Sequence, residues 1–462
     1  MDATNAPILL THVCRRWRDV ATNLSPLWAK VTLSFKQGAG YNDSQLLKSS
    51  EWLNRSVSSL LNVQIQVEKS RRGSKPLPPT NTVPFDRFLV PISQSLTRLT
   101  LSRVPISDIQ TLPPGSFPFL ESLVMRLEDD ADWDEEPEET RLIEAFREAP
   151  SLRRVAVSEW EIQPGDRINV ALPLEQLTHY VLGQSEWGGD YHAFLGHSLP
   201  LLVNLRYLYV HLGATVDWVE SWYSTSTPIR MTKIEGLALT YLPNGITHTD
   251  IFDKIDFPSL KSLQIQGMEL DFFDVAPVTY ASWDSAGHVE RFLAKLESFE
   301  HLESLTLEVR FGAPGSTLEA LFRALPRLTS LDISIGREGY KDYLKLLTLV
   351  PDPKTHLLVR LRTLVIGIEK GARIDPQPLD RFLRSRVQCD TVRLENFVFY
   401  TSFTKIENHE EICTILQSHS RHGLTYGFTV YDEGMGGQDW VRRDCRMKDW
   451  PEVKTVVETY YF

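Results

Sequence analysis

Apolar residues return along this chain in one phrase, apolar-x-x-apolar-x-apolar, whose last two positions alternate as strand residues do. It is spelled Leu96-x-x-Leu99-x-Leu101 and comes back as Leu120/Leu123/Met125, Leu152/Val155/Val157, Leu205/Leu208/Val210, Ile234/Leu237/Leu239, Leu260/Leu263/Ile265, Leu302/Leu305/Leu307, Leu328/Leu331/Ile333 and Leu361/Leu364/Ile366. Weaker copies start at Leu174 and Cys389. Helical periodicity over 140–148, 289–296 and 318–325 comes before strand phrases. Pro118, Pro150, Pro173, Pro200, Pro258 and Pro326 stand at the joins. Proline cannot continue a helix and biases its neighbour toward extended backbone, so it switches helix to strand. Helix, proline, strand, repeated, predicts a parallel sheet whose leucines share one buried side. Each buried Leu or Ile contributes roughly 1.5–3 kcal/mol.

The first ninety residues carry other patterns. Leu10, Val13, Cys14, Trp17, Val20 and Ala21 recur at helical spacing, with Arg15, Arg16, Arg18 and Asp19 opposite, which predicts one amphipathic helix over 8–23. Ser25-Pro26 stops it, and the segment from Leu27 to Leu33 turns to strand-like alternation. A second helix over 44–56 leads to Val63-x-Ile65-x-Val67, a half-buried strand. The polar, proline-rich stretch 69–84 reads as an exposed loop.

The Leu-x-x-Leu-x-Leu phrase resembles leucine-rich repeats, in which each unit supplies one short strand and a return segment. That resemblance implies an α/β fold: a horseshoe-shaped solenoid over 95–400, which offers a long binding surface rather than a catalytic pocket. Regular repeats place Asn or Cys three residues after the third leucine. Here those positions hold Val104, Glu128, Trp160, Gly213, Leu242, Met268, Arg310, Gly336, Glu369 and Phe397. Copies also start 22 to 42 residues apart, so the solenoid is expected to be irregular, with an inserted loop around 268–287. Residues 36–94 would be a linker with a first capping helix and strand, and 401–462 a C-terminal cap.

A second resemblance lies at residues 6–35. Val13-Cys14-x-x-Trp17-Arg18-x-x-Ala21, followed by Ser25-Pro26-Leu27-Trp28, resembles the second half of an F-box as found in fungal F-box/leucine-rich-repeat proteins. Glu51-Trp52-Leu53-Asn54-Arg55-Ser56 is similar to the segment that follows in that family. The family's opening Leu-Pro-x-Glu-Ile-Leu helix has no counterpart before Pro7, so the module is read as a partial F-box over 1–35. The resemblance implies docking of a Skp-type adaptor, and through it the cullin ligase core, by Leu10, Val13, Cys14, Trp17, Leu27 and Trp28. The repeats would then bind a protein substrate destined for ubiquitination. The rival expectation is a leucine-rich-repeat scaffold that binds partners without any ligase.

Composition narrows these choices. Hydrophobic residues make up 42% of 462, enough for a continuous core, and the net charge of −11 argues against nucleic acid, whose phosphates need a basic face. Four scattered cysteines with no Cys-x-x-Cys pair read as reduced thiols, which together with the absence of a signal-like start or a long apolar run predicts a cytoplasmic and/or nuclear chain without a membrane span. No catalytic residue, cofactor or metal is expected. The sequence from His409 to Cys413 is not His-Glu-x-x-His, and Gly434-Met435-Gly436-Gly437 lacks the Lys-Ser/Thr of a phosphate loop.

Alternation also nominates a substrate surface. The third, fifth and seventh positions of the phrase would face the concave side, and most are small: Ser102, Ser122, Ser158, Ser262, Ser304, Ser330 and Thr363. Tyr207, Tyr209 and His211 on one strand, with Tyr180 on the strand before, are the large exceptions. Tyrosines give large contact area at low entropy cost, so these four are the candidate substrate-binding residues. Nine carboxylates between 128 and 139 read as a solvated loop or a site for a basic partner, and the aromatic segment after Tyr431 as a cap.

Overall fold

The structure, a computed structural model, describes residues 6–36, 47, 50–53, 55–56, 59–68, 83, 85–128, 141–160, 168–183, 198–212, 229–241, 255–267, 295–296, 298–311, 315–335, 340–350, 352, 356–368, 374–389, 393–401 and 408–430. The described chain divides into two compact units, one ending at Leu205 and the other starting at Arg206. Both are mixed α/β, and each is built on an open, parallel sheet.

The first unit begins with α1 (Ala6–Val13) and α2 (Arg15–Asn23), then a 3-10 turn at Ser25–Trp28. Its sheet runs β1 (Lys30–Lys36), β2 (Leu61–Glu68), β3 (Leu96–Pro105), β4 (Ser122–Glu128), β6 (Arg154–Trp160) and β8 (His179–Gly183), each strand pairing in parallel with the next. Short helices α3 (Phe85–Phe88) and α4 (Ile106–Gln110) lie between strands. β5 (Arg141–Ile143) and β7 (Ile168–Val170) pair with each other. Register stacks Val31, Val63, Leu99, Leu123, Val155 and Tyr180 in one buried column. The next column is Leu33, Ile65, Leu101, Met125, Val157 and Leu182.

The second unit's sheet runs β9 (Tyr207–Leu212), β11 (Gly236–Tyr241), β13 (Ser262–Gly267), β14 (Ser304–Phe311), β15 (Ser330–Ile335), β16 (Thr363–Ile368), β17 (Asn396–Thr401) and β18 (Thr425–Val430), again all parallel. β10 (Ile229–Arg230) and β12 (Ile255–Asp256) make a small second pair. Parallel neighbours need long crossovers, and α5 (Gly315–Ala324), α6 (Tyr340–Leu347), α7 (Pro376–Val387) and α8 (His409–Ser420) supply them toward the C-terminal end. Phe382 of α7 meets Phe397 with ring centroids 6.2 Å apart, so that helix packs on the leucine side of the sheet.

Several sequence expectations change. The single helix over 8–23 is two helices, because Cys14 is extended between them and Arg18 Nε donates to Thr11 O (2.9 Å) at the end of α1. The helix expected over 140–148 is the strand β5 followed by turns. The weak copies are out of register as read. β8 aligns Leu177/Tyr180/Leu182 with Leu152/Val155/Val157, not a phrase starting at Leu174, and β17 aligns Leu394/Phe397/Phe399, not one starting at Cys389. Parallel strands also lie beyond both ends of 95–400, β1 and β2 in the first unit and β18 in the second, so the part of the expected cap up to Val430 is one more helix and strand. The inserted loop around 268–287, the loop 69–84 apart from Val83, residues 129–139 of the acidic run and the segment after Val430 lie outside the described residues.

Candidate functional site

The two N-terminal helices leave several of their apolar side chains in solvent. Leu9, Val13, Trp17, Val20 and Leu24 are exposed, Val13 by 63% and Trp17 by 50%, while Leu10 is half-buried and Cys14 exposed. On α2 only Ala21 is buried. Trp17 and Val20, three residues apart, lie on one side of α2, while Val13 ends α1 before the extended Cys14 and Leu24 follows the last turn of α2. Arg15, Arg16 and Arg18 are exposed around them. Single exposed apolar residues are ordinary, but five within sixteen residues are the kind of grouping that interaction sites present.

The residues after α2 hold it in place. Trp28 is fully buried, and its Nε1 donates to Ala21 O (2.7 Å) in the last turn of α2. Trp52 meets it edge-on at 4.8 Å and donates from Nε1 to Trp28 O (3.1 Å), and the Arg55 guanidinium lies 4.7 Å above the Trp28 ring. Trp28 stands three residues before Val31, so Trp28/Val31/Leu33 is itself a copy of the repeat phrase. That corrects Trp28 as an adaptor-contact residue: it is core. Leu27 beside it is half-buried.

The four nominated substrate residues are not one exposed cluster. Tyr180 belongs to the first unit, is 8% exposed and sits in the core column beside Val155, a correction to its assignment to the open face. The other three lie on β9 of the second unit. Tyr209 shares the mid-strand row with Ala238, Gln264, Thr306 and Asp332, opposite the leucines, but is only 2% exposed. Tyr207 is half-buried; a Cβ on its neighbour Gly236 would come within 2.7 Å of Tyr207 Cδ1, so the ring lies where only glycine leaves room. His211 is placed by its register with Thr240, and its side chain lies outside the described residues. The row Ser262, Ser304, Ser330 and Thr363 continues from Tyr207 in register, as alternation predicts.

Sequence reading missed a charged ladder at the strand starts of the second unit. Arg206, Glu235, Lys261, Glu303, Thr329, Arg362 and Glu395 occupy one position in successive repeats. Arg206 donates through Nε to Glu235 Oε1 (2.8 Å), Lys261 Nζ reaches Glu235 Oε2 (2.9 Å), and Arg362 approaches Glu395 at 3.5 Å. Burial opposes ionisation of Glu235, but hydrogen bonds from Lys261 and Arg206 outweigh it and hold the carboxyl below its ordinary range. The signal was available: from Leu205 on, the residue after the first apolar position of each phrase alternates in sign, apart from the neutral Thr329.

Chemistry of other kinds finds little footing. Cys413 Sγ lies 3.5 Å from His409 Nε2 one helical turn away, and among the described residues no group of three or more His, Cys, Asp or Glu could hold a metal ion. Among the same residues no helix is long and apolar enough to cross a membrane. No protein-family profile and no curated protein matches this sequence.

Proposed function

We propose that this chain is the substrate-recognition subunit of a Skp–cullin–F-box ubiquitin ligase, an irregular leucine-rich-repeat solenoid of horseshoe shape carrying a partial F-box at its N-terminal end. The observation that carries the reading is the set of exposed apolar side chains Leu9 and Val13 on α1, Trp17 and Val20 on α2 and Leu24 after it, with α2 fastened by Trp28 at the start of a parallel leucine sheet. Apolar side chains exposed on short helices suit a partner groove of the helix-binding kind. No covalent step is asked of the protein; it would act by holding a substrate near the ligase core. In this reading it works in the cytoplasm and/or the nucleus.

The test is capture of a purified Skp-type adaptor by the full chain, beside a variant carrying Val13→Ser and Trp17→Ala. Both side chains are solvent-exposed, so the variant is expected to keep the wild-type melting temperature. Loss of a tryptophan at an interface centre costs about 2 kcal/mol or more, roughly a thirtyfold fall in affinity. A folded wild-type chain that captures no adaptor would sink the reading and leave the repeat scaffold without a ligase.

A further inference from the structure

In the second unit one polar side chain is buried without a use in the fold. Gln264 of β13 lies opposite the leucines, in the row Ala238, Gln264, Thr306 and Asp332, and is 8% exposed, yet its amide has no hydrogen-bond partner among the described residues. Burying an amide unpaired costs free energy, and folded proteins pair nearly all such groups, so one left over calls for an explanation. Beside it stand Ser262, Ser304 and Thr306 and, one strand further, Ser330, all half-buried, their hydroxyls likewise unpaired among the described residues. On the other flank β11 contributes only Gly236 and Ala238, with the Tyr207 ring against Gly236. The two rows on β11, β13, β14 and β15 hold a single ion, Asp332, which is 5% exposed and already engaged within the fold. Glu308 follows on the same alternation at the far end of β14, in register with Gln266.

We propose that Gln264 and the hydroxyls beside it hold an extended, uncharged segment of a partner protein by its backbone; under the reading of the chain as a substrate receptor, that segment belongs to the substrate. In an extended chain the N–H and C=O of one residue point the same way, as the paired bonds between antiparallel strands require. A glutamine amide carries a donor and an acceptor side by side and can meet both. Serine and threonine hydroxyls donate or accept as needed, so Ser262, Ser304, Thr306 and Ser330 suit further backbone groups with no call for charge. Asp332, with Glu308 beyond it, disfavours an acidic segment, and a carboxylate so enclosed offers little to a basic one. A neutral segment is what remains.

The experiment is fluorescence anisotropy on the full chain with a labelled Ser-Asn-Thr repeat peptide, beside copies with Asp or Lys in place of Asn and a copy N-methylated throughout. The neutral peptide is expected to bind in preference to both charged copies, to lose its binding on N-methylation, and to change little with added salt. Gln264→Met keeps the length of the side chain and removes the amide. It is expected to lose about tenfold or more in affinity for the neutral peptide while melting no lower than the wild type, since no bond within the fold is given up. A lower melting temperature would mean that the amide holds the fold, and would overturn the proposal. So would no binding by the folded wild type, preference for a charged copy, equal binding of the N-methylated copy, or undiminished binding by the variant. Adaptor capture by the same proteins separates the two readings. A chain that binds the peptide but no adaptor keeps this surface and loses the ligase, and one that captures adaptor but not the peptide does the reverse.

Discussion

At the scale of single residues, Arg386 shows how an interior charge can be made to hold backbone. Its guanidinium is fully buried on α7 and donates through Nε to Leu347 O (2.8 Å), through Nη1 to Leu358 O (2.9 Å) and through Nη2 to Leu357 O (2.7 Å). Leu347 ends α6, where helix carbonyls lack partners and the dipole favours a cation. Leu358 has φ +50°, a costly conformation for a branched side chain, so a bond to its carbonyl helps keep it there. Burial lowers the Arg386 pKa to about 10, still leaving it cationic at neutral pH. Arg386→Met would keep much of the volume and strand three carbonyls. The expected loss is about 3 kcal/mol or more, read as a fall in the denaturant midpoint, with Arg386→Lys recovering part of it. A variant as stable as the wild type would show that water replaces the guanidinium at no cost.

Among elements, the informative comparison is between the strand phrases and the ladder that begins them. The regular Asn position is empty of Asn, yet the repeats are tied by backbone instead. Arg206 O accepts from both Glu235 N (2.8 Å) and Gly236 N (3.0 Å), and the same double acceptance recurs at Glu235, Lys261, Glu303, Thr329 and Arg362. The alternating side chains sit on this frame. Because Glu235 titrates below its ordinary range in the folded chain, its ion pairs contribute fully above the unfolded-state value near 4 and are lost as pH falls through the lower folded value. Arg206 and Lys261 are well exposed, so the contribution is only about 0.5–1 kcal/mol. The melting temperature of Glu235→Gln should therefore trail the wild type at pH 7 and converge with it only once the pH has fallen through the lowered folded value; a gap that persists in stronger acid would point to packing, not charge. Much of this organisation was legible, since Leu99, Leu123, Leu263 and Leu305 sit where the phrase puts them. What escaped were aromatic substitutes in leucine columns, Trp28, Tyr180 and Phe397 among them. A tyrosine reads equally as surface or core, and only register separates the two. The break at Cys14 escaped because apolar spacing continues across it; a side chain reaching back to a carbonyl leaves no periodic trace.

For each unit as a whole, stability is shared only between neighbours, because each strand of its main sheet pairs only with the strands next to it. Leu305 is fully buried on β14, in register with Leu263 on one side and Leu331 on the other. Leu305→Ala opens a cavity that costs about 2–5 kcal/mol, according to how far the site collapses. In a globular core that loss would weaken all protection alike. In a stack of repeats it enters as one local term and two interface terms, so damage spreads outward from its origin. Hydrogen exchange on the variant is expected to speed up first at β13, β14 and β15, and least at β17 and β18 of the same unit. A uniform acceleration across the unit would mean that its eight strands fold as one cooperative block. A stack that yields locally can lose order at β13, β14 and β15 while β17 and β18 keep theirs, which a single cooperative block cannot do.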